Sequence, residues 1–89
     1  ETALDEIVYI EAAGNYAKII FENDQLLVRS KLSDLMDKLP KVDFMRIHKS
    51  FIVSKKHIKI IEGNRIKLLE NYLPIGNFYK AQVNKLLKE

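Results

Sequence analysis

Arg46, His48, Lys49 and Ser50 crowd into one short stretch, between the apolar residues Phe44, Met45 and Ile47 and the run Phe51-Ile52-Val53. Three chemistries are open to such a set. Ser50 and His48, with Asp43 upstream, supply the residue types of a hydrolytic triad. A triad needs its base, nucleophile and orienting acid to converge, and these three lie too close together on one strand and its loop to do so. His48 and His57 supply two imidazoles, but without Cys or a fitting carboxylate pattern they make a poor metal site. No glycine-rich phosphate loop occurs. The expectation is therefore no enzyme, no metal and no cofactor. The third chemistry is polyanion binding. From Met45 to Ile61 there is no acidic residue, while Arg46, Lys49, Lys55, Lys56 and Lys59 are basic. A rigid strand with a cationic, donor-rich loop at its end presents such contacts well.

The elements that must position this stretch follow from periodicity. Ile7-Val8-Tyr9-Ile10 reads as a strand, Ala13-Gly14-Asn15 as a turn, and Tyr16 to Glu22 as a second strand. Asn23-Asp24 turns the chain again, and Gln25 to Arg29 returns as a hairpin partner. Ser30 is placed to cap a helix in which Leu32, Leu35, Met36 and Leu39 share a face, and Pro40 stops it. Lys55-Lys56-His57 is a polar turn. Ile58 to Ile60 and Arg65 to Leu68 alternate around Gly63-Asn64, a two-residue hairpin turn, with Ile66 and Leu68 facing the core and Arg65 and Lys67 facing solvent. Tyr72 to Ile75 is a last strand, demoted to an edge by Pro74 and broken at Gly76. Asn77 is placed to cap a final helix in which Tyr79, Val83, Leu86 and Leu87 share a face. The fold class is mainly β, a β-rich α+β domain of hairpins and small antiparallel sheets, with a short mid-chain helix and a C-terminal helix.

At 89 residues the chain is a single domain, residues 1–89, with a modest core. Because residue 1 is Glu and not Met, it is expected to be part of a longer protein. The absence of Cys excludes disulfides and thiolate metal sites and fits a reducing compartment. No apolar run reaches membrane-spanning length, and no signal peptide is visible. The net charge of +3 hides an asymmetry. Glu1, Asp5, Glu6, Glu11, Glu22 and Asp24 stand against Lys18 alone in the first 24 residues, so the rest of the chain is strongly basic. Such segregation directs a field at an anionic partner, or is a plain lysine-rich surface.

The stretch Arg46-Ile47-His48-Lys49-Ser50-Phe51-Ile52-Val53 resembles the R-x-H-[RN]-S-[YF]-x-V signature of the LytTR family of bacterial DNA-binding domains. Tyr9-Ile10-Glu11-Ala12 with Gly14-Asn15-Tyr16, and Leu73-Pro74-Ile75-Gly76 with Tyr79, resemble that family's other two segments, in order and at its spacing. The similarity runs from Leu4 to Leu87. It implies an elongated stack of small β-sheets with recognition loops along one edge, and a further strand ahead of Leu4. Without that strand, the Ile7–Ile10 neighbourhood is expected to expose an edge.

The same resemblance implies sequence-specific binding to double-stranded DNA by a bacterial transcription regulator in the cytoplasm. It further implies repeated half-sites holding two copies, a receiver domain in the same chain and an upstream sensor histidine kinase. In the first loop the candidates are Asn15, Tyr16 and Lys18, where Asn15 serves contact or turn and Tyr16 contact or packing. In the second they are His48, Lys49 and Ser50, with Lys49 the best placed for direct contact. His48 either fixes the loop or donates to DNA, and Arg46 either contacts DNA or leans on Asp43. In the third they are Asn77, Tyr79 and Lys80. Many family members carry Arg or Ser–Arg where this chain has Asn77 and Phe78, so the chain departs here from the family pattern behind the usual arginine–guanine readout. Asn77 pairs with adenine or acts as a cap. Lys55 and Lys56 are candidates for phosphate contact. Two other classes remain open. An RNA or single-strand binder requires aromatics clustered on one sheet face. A basic protein-interaction module requires affinity without DNA sequence preference.

Overall fold

The computed structural model describes residues 4–87. In chain order the elements are β1 (Ile7–Ala13), β2 (Tyr16–Phe21), β3 (Gln25–Val28), α1 (Leu32–Lys38), β4 (Phe44–His48), β5 (Phe51–Ser54), β6 (Ile60–Glu62), β7 (Arg65–Leu68), β8 (Asn71–Pro74) and α2 (Lys80–Leu87). Short 3-10 turns cover Leu4–Glu6, Lys55–His57 and Asn77–Tyr79. Two antiparallel sheets form, one ordered β3-β2-β1-β5-β4 and the other β6-β7-β8. The body is elongated, 32 × 23 × 22 Å.

β1 is the centre of the larger sheet, and this corrects the expectation of an exposed edge at Ile7–Ile10. All four residues are buried. β5, far along the chain, pairs with β1 through Tyr9↔Val53 and Ile10↔Ile52, and β2 covers the other side. A register irregularity between Ile7 and Tyr9 accommodates Val8 and turns Val8 and Tyr9 into the same core cluster. The edges of this sheet are β3 and β4.

Each face of the larger sheet has its own core. On one, Ile7, Ile10, Ala17, Phe44 and Ile52 pack beneath Leu32 and Leu39 of the α1 region, with Leu35 and Met36 half-buried beside them. The stripe read from sequence is therefore packing. The expected Ser30 cap does not form: the cap residue is Lys31, and the Ser30 hydroxyl donates to the Lys31 carbonyl at 3.2 Å. Leu39 is extended, with ψ 146°, because the ring of Pro40 disfavours helical backbone in the residue before it.

On the other face, Val8, Tyr9, Met45, Ile47 and Val53 meet Ile66, Leu68 and Leu73 of the smaller sheet and Val83 of α2. Ile66 and Leu68 are fully buried, as their alternation requires, and Pro74 lies on the edge strand β8 opposite Arg65. Glu62 faces Arg65 across the Gly63-Asn64 turn, where Gly63 takes φ 60°. The β7–β8 turn is less conventional. Leu69 holds φ 54°, a left-handed backbone that a leucine rarely adopts, while its side chain packs on this core. The side chains of Leu86 and Leu87 lie outside the described residues.

Candidate nucleic-acid interface

Three separated segments of the chain arrive at one end of the larger sheet. The first is the Gly14-Asn15 turn, where Ala13 pairs with Tyr16 and Gly14 takes φ 64°. The second is the Lys49-Ser50 turn between β4 and β5. The third is the segment 75–80 that follows β8. Two backbone hydrogen bonds join them. Ala12 N–H donates to the Ser50 carbonyl at 2.8 Å, and Gly76 N–H donates to the Ile47 carbonyl at 2.8 Å. The β1–β2 and β4–β5 turns thus lie side by side, with the third segment flanking β4.

The middle loop is built by its own side chains. Arg46 Nε donates to the His48 carbonyl at 2.9 Å, and Nη2 donates to the Lys49 carbonyl at 2.6 Å. Ser50 N–H donates to His48 Nδ1 at 3.0 Å. An accepting Nδ1 leaves Nε2 as the ring's other polar atom, and the imidazole packs tilted on Phe51 at 5.6 Å between centroids. His48 therefore fixes the loop. Arg46 turns to the loop carbonyls and not to Asp43, which lies at the far end of β4. Five strand residues span about 17 Å, so Asp43, His48 and Ser50 do not assemble as a triad. Among the described residues no group of three or more His, Cys, Asp or Glu side chains forms a metal site.

Gly76 has a packing reason. A Cβ there would meet Tyr79 Cδ2 at 3.1 Å and His48 Cδ2 at 3.5 Å. Tyr79 is half-buried against this junction, with the Arg46 guanidinium 5.9 Å from its ring centre. Asn77 lies inside the 3-10 turn that starts from Gly76, and α2 begins only at Lys80, so the expected Asn77 helix cap is not formed.

The end of the sheet therefore brings together Asn15, Tyr16, Lys18, Arg46, His48, Lys49, Ser50, Asn77, Tyr79 and Lys80. Of these Asn15, Tyr16, Lys49 and Asn77 are exposed. Segments 13–18, 46–51 and 75–80 hold Lys18, Arg46, Lys49 and Lys80 and no acidic residue. Lys18 faces Glu11 across β1 and β2. Lys55 and Lys56 are not brought to this end. β5 runs away from the middle loop and delivers them to the opposite end, where Lys56 Nζ lies 3.5 Å from Asp5 Oδ2. His57 Nε2 lies 2.8 Å from the Asp5 carbonyl there. A concavity lined by Asp5, Glu6, Glu22 and Asp24 sits at that end. Four of the six acidic residues in the first 24 thus gather away from the loops, beside Lys56 and His57.

Two residues at the loop end are not among the contact candidates read from sequence, although Phe78 marks a departure from the family pattern. Arg29 is exposed, and its guanidinium lies 6.0 Å from the Tyr16 ring centre. The hairpin register was the available signal, because pairing Ala17 with Val28 sets Arg29 opposite Tyr16. Phe78 is 90% exposed and borders a shallow concavity with His48, Lys49, Gly76, Asn77 and Tyr79. Its signal was an aromatic beside Asn77 with no place in the helical stripe.

The aromatics do not make a stacking platform. Tyr9 and Phe44 are buried. Tyr16 and Phe78 stand on different loops, and Tyr72 lies on the smaller sheet under Arg65, 4.0 Å from its ring centre.

The model of the LytTr DNA-binding domain matches residues 1–88. Sensory transduction protein LytT of Bacillus cereus is 29% identical over 96% of this chain and 37% of its own length. The heme-containing CO-sensing transcriptional regulator RcoM 1 of Paraburkholderia xenovorans is 28% identical over 94% of this chain and 34% of its own length. The chain spans little more than a third of these relatives. A solved LytTr DNA-binding domain, from a Bacillus cereus protein assigned as a DNA response regulator, superposes with a TM-score of 0.87 at 26% identity. That match covers 99% of this chain and 86% of the other.

Proposed function

The chain belongs to the LytTR family of DNA-binding domains, a premise from which we propose that its three loops read base pairs in duplex DNA as the output of a transcription regulator. The observation that carries the proposal is the joining of the loops by the Ala12–Ser50 and Gly76–Ile47 hydrogen bonds into one surface with cations and no carboxylates on its loops. Lys18, Lys80 and Arg29 supply phosphate contacts, which set register and carry no sequence information. Lys49 and Asn77 reach base edges, where each good contact is worth roughly 1–3 kcal/mol of discrimination. Arg46, His48 and Ser50 hold the loop in shape, and catalysis has no part in the function.

One small domain makes few such contacts, so two copies bind repeated half-sites. A receiver domain ahead of this segment and a sensor histidine kinase upstream suit the family, and the work is done in the cytoplasm. A relative named as a heme-containing CO sensor favours a second reading of the input, in which a ligand-sensing segment replaces the receiver while the DNA surface stays the same. Among the described residues no helix is long and apolar enough to cross a membrane.

Selection of bound duplexes from a random pool tests the proposal, with anisotropy of the winner against a scrambled duplex at two salt concentrations. A repeated motif, preferred at both salts, is the expected result. Equal binding to every sequence, lost as salt rises, would leave a cationic surface only.

A further inference from the structure

At 90% exposure, Phe78 has the most open side chain among the large apolar residues described. It does not hang on a loose loop. Gly76 N–H is tied to the Ile47 carbonyl at 2.8 Å, which anchors the start of the 3-10 turn to β4, and the turn is closed by its own Tyr79 N–H to Gly76 carbonyl bond at 2.9 Å. The Phe78 ring meets the Tyr79 ring edge to face, with centroids 5.3 Å apart and planes at 83°. The turn sends Tyr79 inward against Gly76 and Phe78 outward. An aromatic ring held in water gains nothing there. Besides Tyr79 and Gly76, the concavity it borders is lined by the polar residues Lys49, His48 and Asn77. Phe78 is therefore an exposed apolar ring, backed by Tyr79 and set beside Lys49 and Asn77, on the surface assigned above to DNA.

The major groove offers a ring in that position one apolar partner. Every base pair there shows donors and acceptors, and thymine alone adds a methyl group at C5. We propose that Phe78 is a specificity-determining residue that recognises thymine through this methyl, next to the base or bases reached by Asn77 and Lys49. The proposal rests on the duplex-binding reading above. It assigns the third loop a preference that the polar head of a lysine or an asparagine does not supply, because covering a methyl group takes apolar surface.

Uracil replaces thymine without altering base pairing and removes only the methyl. The experiment takes the motif recovered from the random pool and replaces each thymine singly by deoxyuridine. Binding of the 89-residue chain and of Phe78→Ala is measured by anisotropy on every duplex. One or two positions in each half-site should weaken binding by the unchanged chain about fourfold, the worth of one buried methyl group. Phe78→Ala should bind those duplexes and the thymine duplex equally. Phe78→Leu, still apolar, should keep part of the discrimination. Indifference of the unchanged chain to uracil at every position overturns the inference while leaving sequence-specific binding intact. Equal sensitivity in Phe78→Ala assigns the methyl to another residue and overturns it too. A rise in 2-aminopurine fluorescence that depends on Phe78 identifies a wedge that unstacks bases, which also overturns methyl recognition. A pool that yields no motif removes the duplex reading, and this inference with it.

Discussion

The guanidinium of Arg46 lies 2.6 Å from the carbonyl oxygen of Lys49 and holds, with its Nε, the carbonyl of His48 at 2.9 Å. The side chain most suited to gripping a phosphate is thus spent inside the loop, and the lysine beside it is left exposed for the ligand. The planar fork of Arg reaches both carbonyls at once, which an ammonium group does not.

Arg46→Lys should therefore fail to rescue Arg46→Ala. Both variants should lose about 1–2 kcal/mol of stability in urea titration, the worth of two partly exposed hydrogen bonds from a charged donor. Both should also weaken binding to the selected motif more than to a scrambled duplex, because the loop loses its shape. A fully active Arg46→Lys would assign the residue a charge role only.

Lys49→Ala should leave stability within about 0.5 kcal/mol, as expected for an exposed residue. It should change the sequence preference recovered from the random pool. A loss equal on all duplexes would make Lys49 a phosphate contact.

Lys55 and Lys56 sit at the end of β5 remote from the three loops, and Lys56 is paired with Asp5. Lys55→Ala and Lys56→Ala should leave the salt dependence of binding unchanged. Arg29→Ala and Lys80→Ala should each flatten the slope of log affinity against log salt by roughly one unit. A flattened slope in the Lys56 variant would mean that DNA reaches the far end of the body.

Gly76→Ala tests the junction of the second and third loops. The backbone there has φ −69°, which any residue adopts, so the cost is the new Cβ against Tyr79 and His48. Destabilisation of about 1 kcal/mol is expected from such overpacking. Binding should fall further than this implies, since the added methyl displaces loop residues from both sides of the concavity. Thermal unfolding beside anisotropy separates the two effects.

The sequence by itself determined which residues face inward in β7 and α1, though not in β1, where four successive residues are buried. Period two placed Ile66 and Leu68 in the core, the helical stripe placed Leu32 and Leu39, and Gly63-Asn64 fixed a hairpin, because side-chain direction follows from local backbone geometry. The three family motifs located the loops for the same reason: each is a contiguous run. What only the tertiary structure decided is non-local. β1 is central because β5 pairs with it from some forty residues away. No periodicity within β1 encodes that partner. The direction of β5 then sends Lys49 to one end of the sheet and Lys56 to the other. Arg46 turns onto its own loop, Arg29 joins Tyr16, and Phe78 faces outward while Tyr79 faces in. Each of these depends on which segment lies alongside in space, and that is set by the packing of two sheets and two helices around two cores.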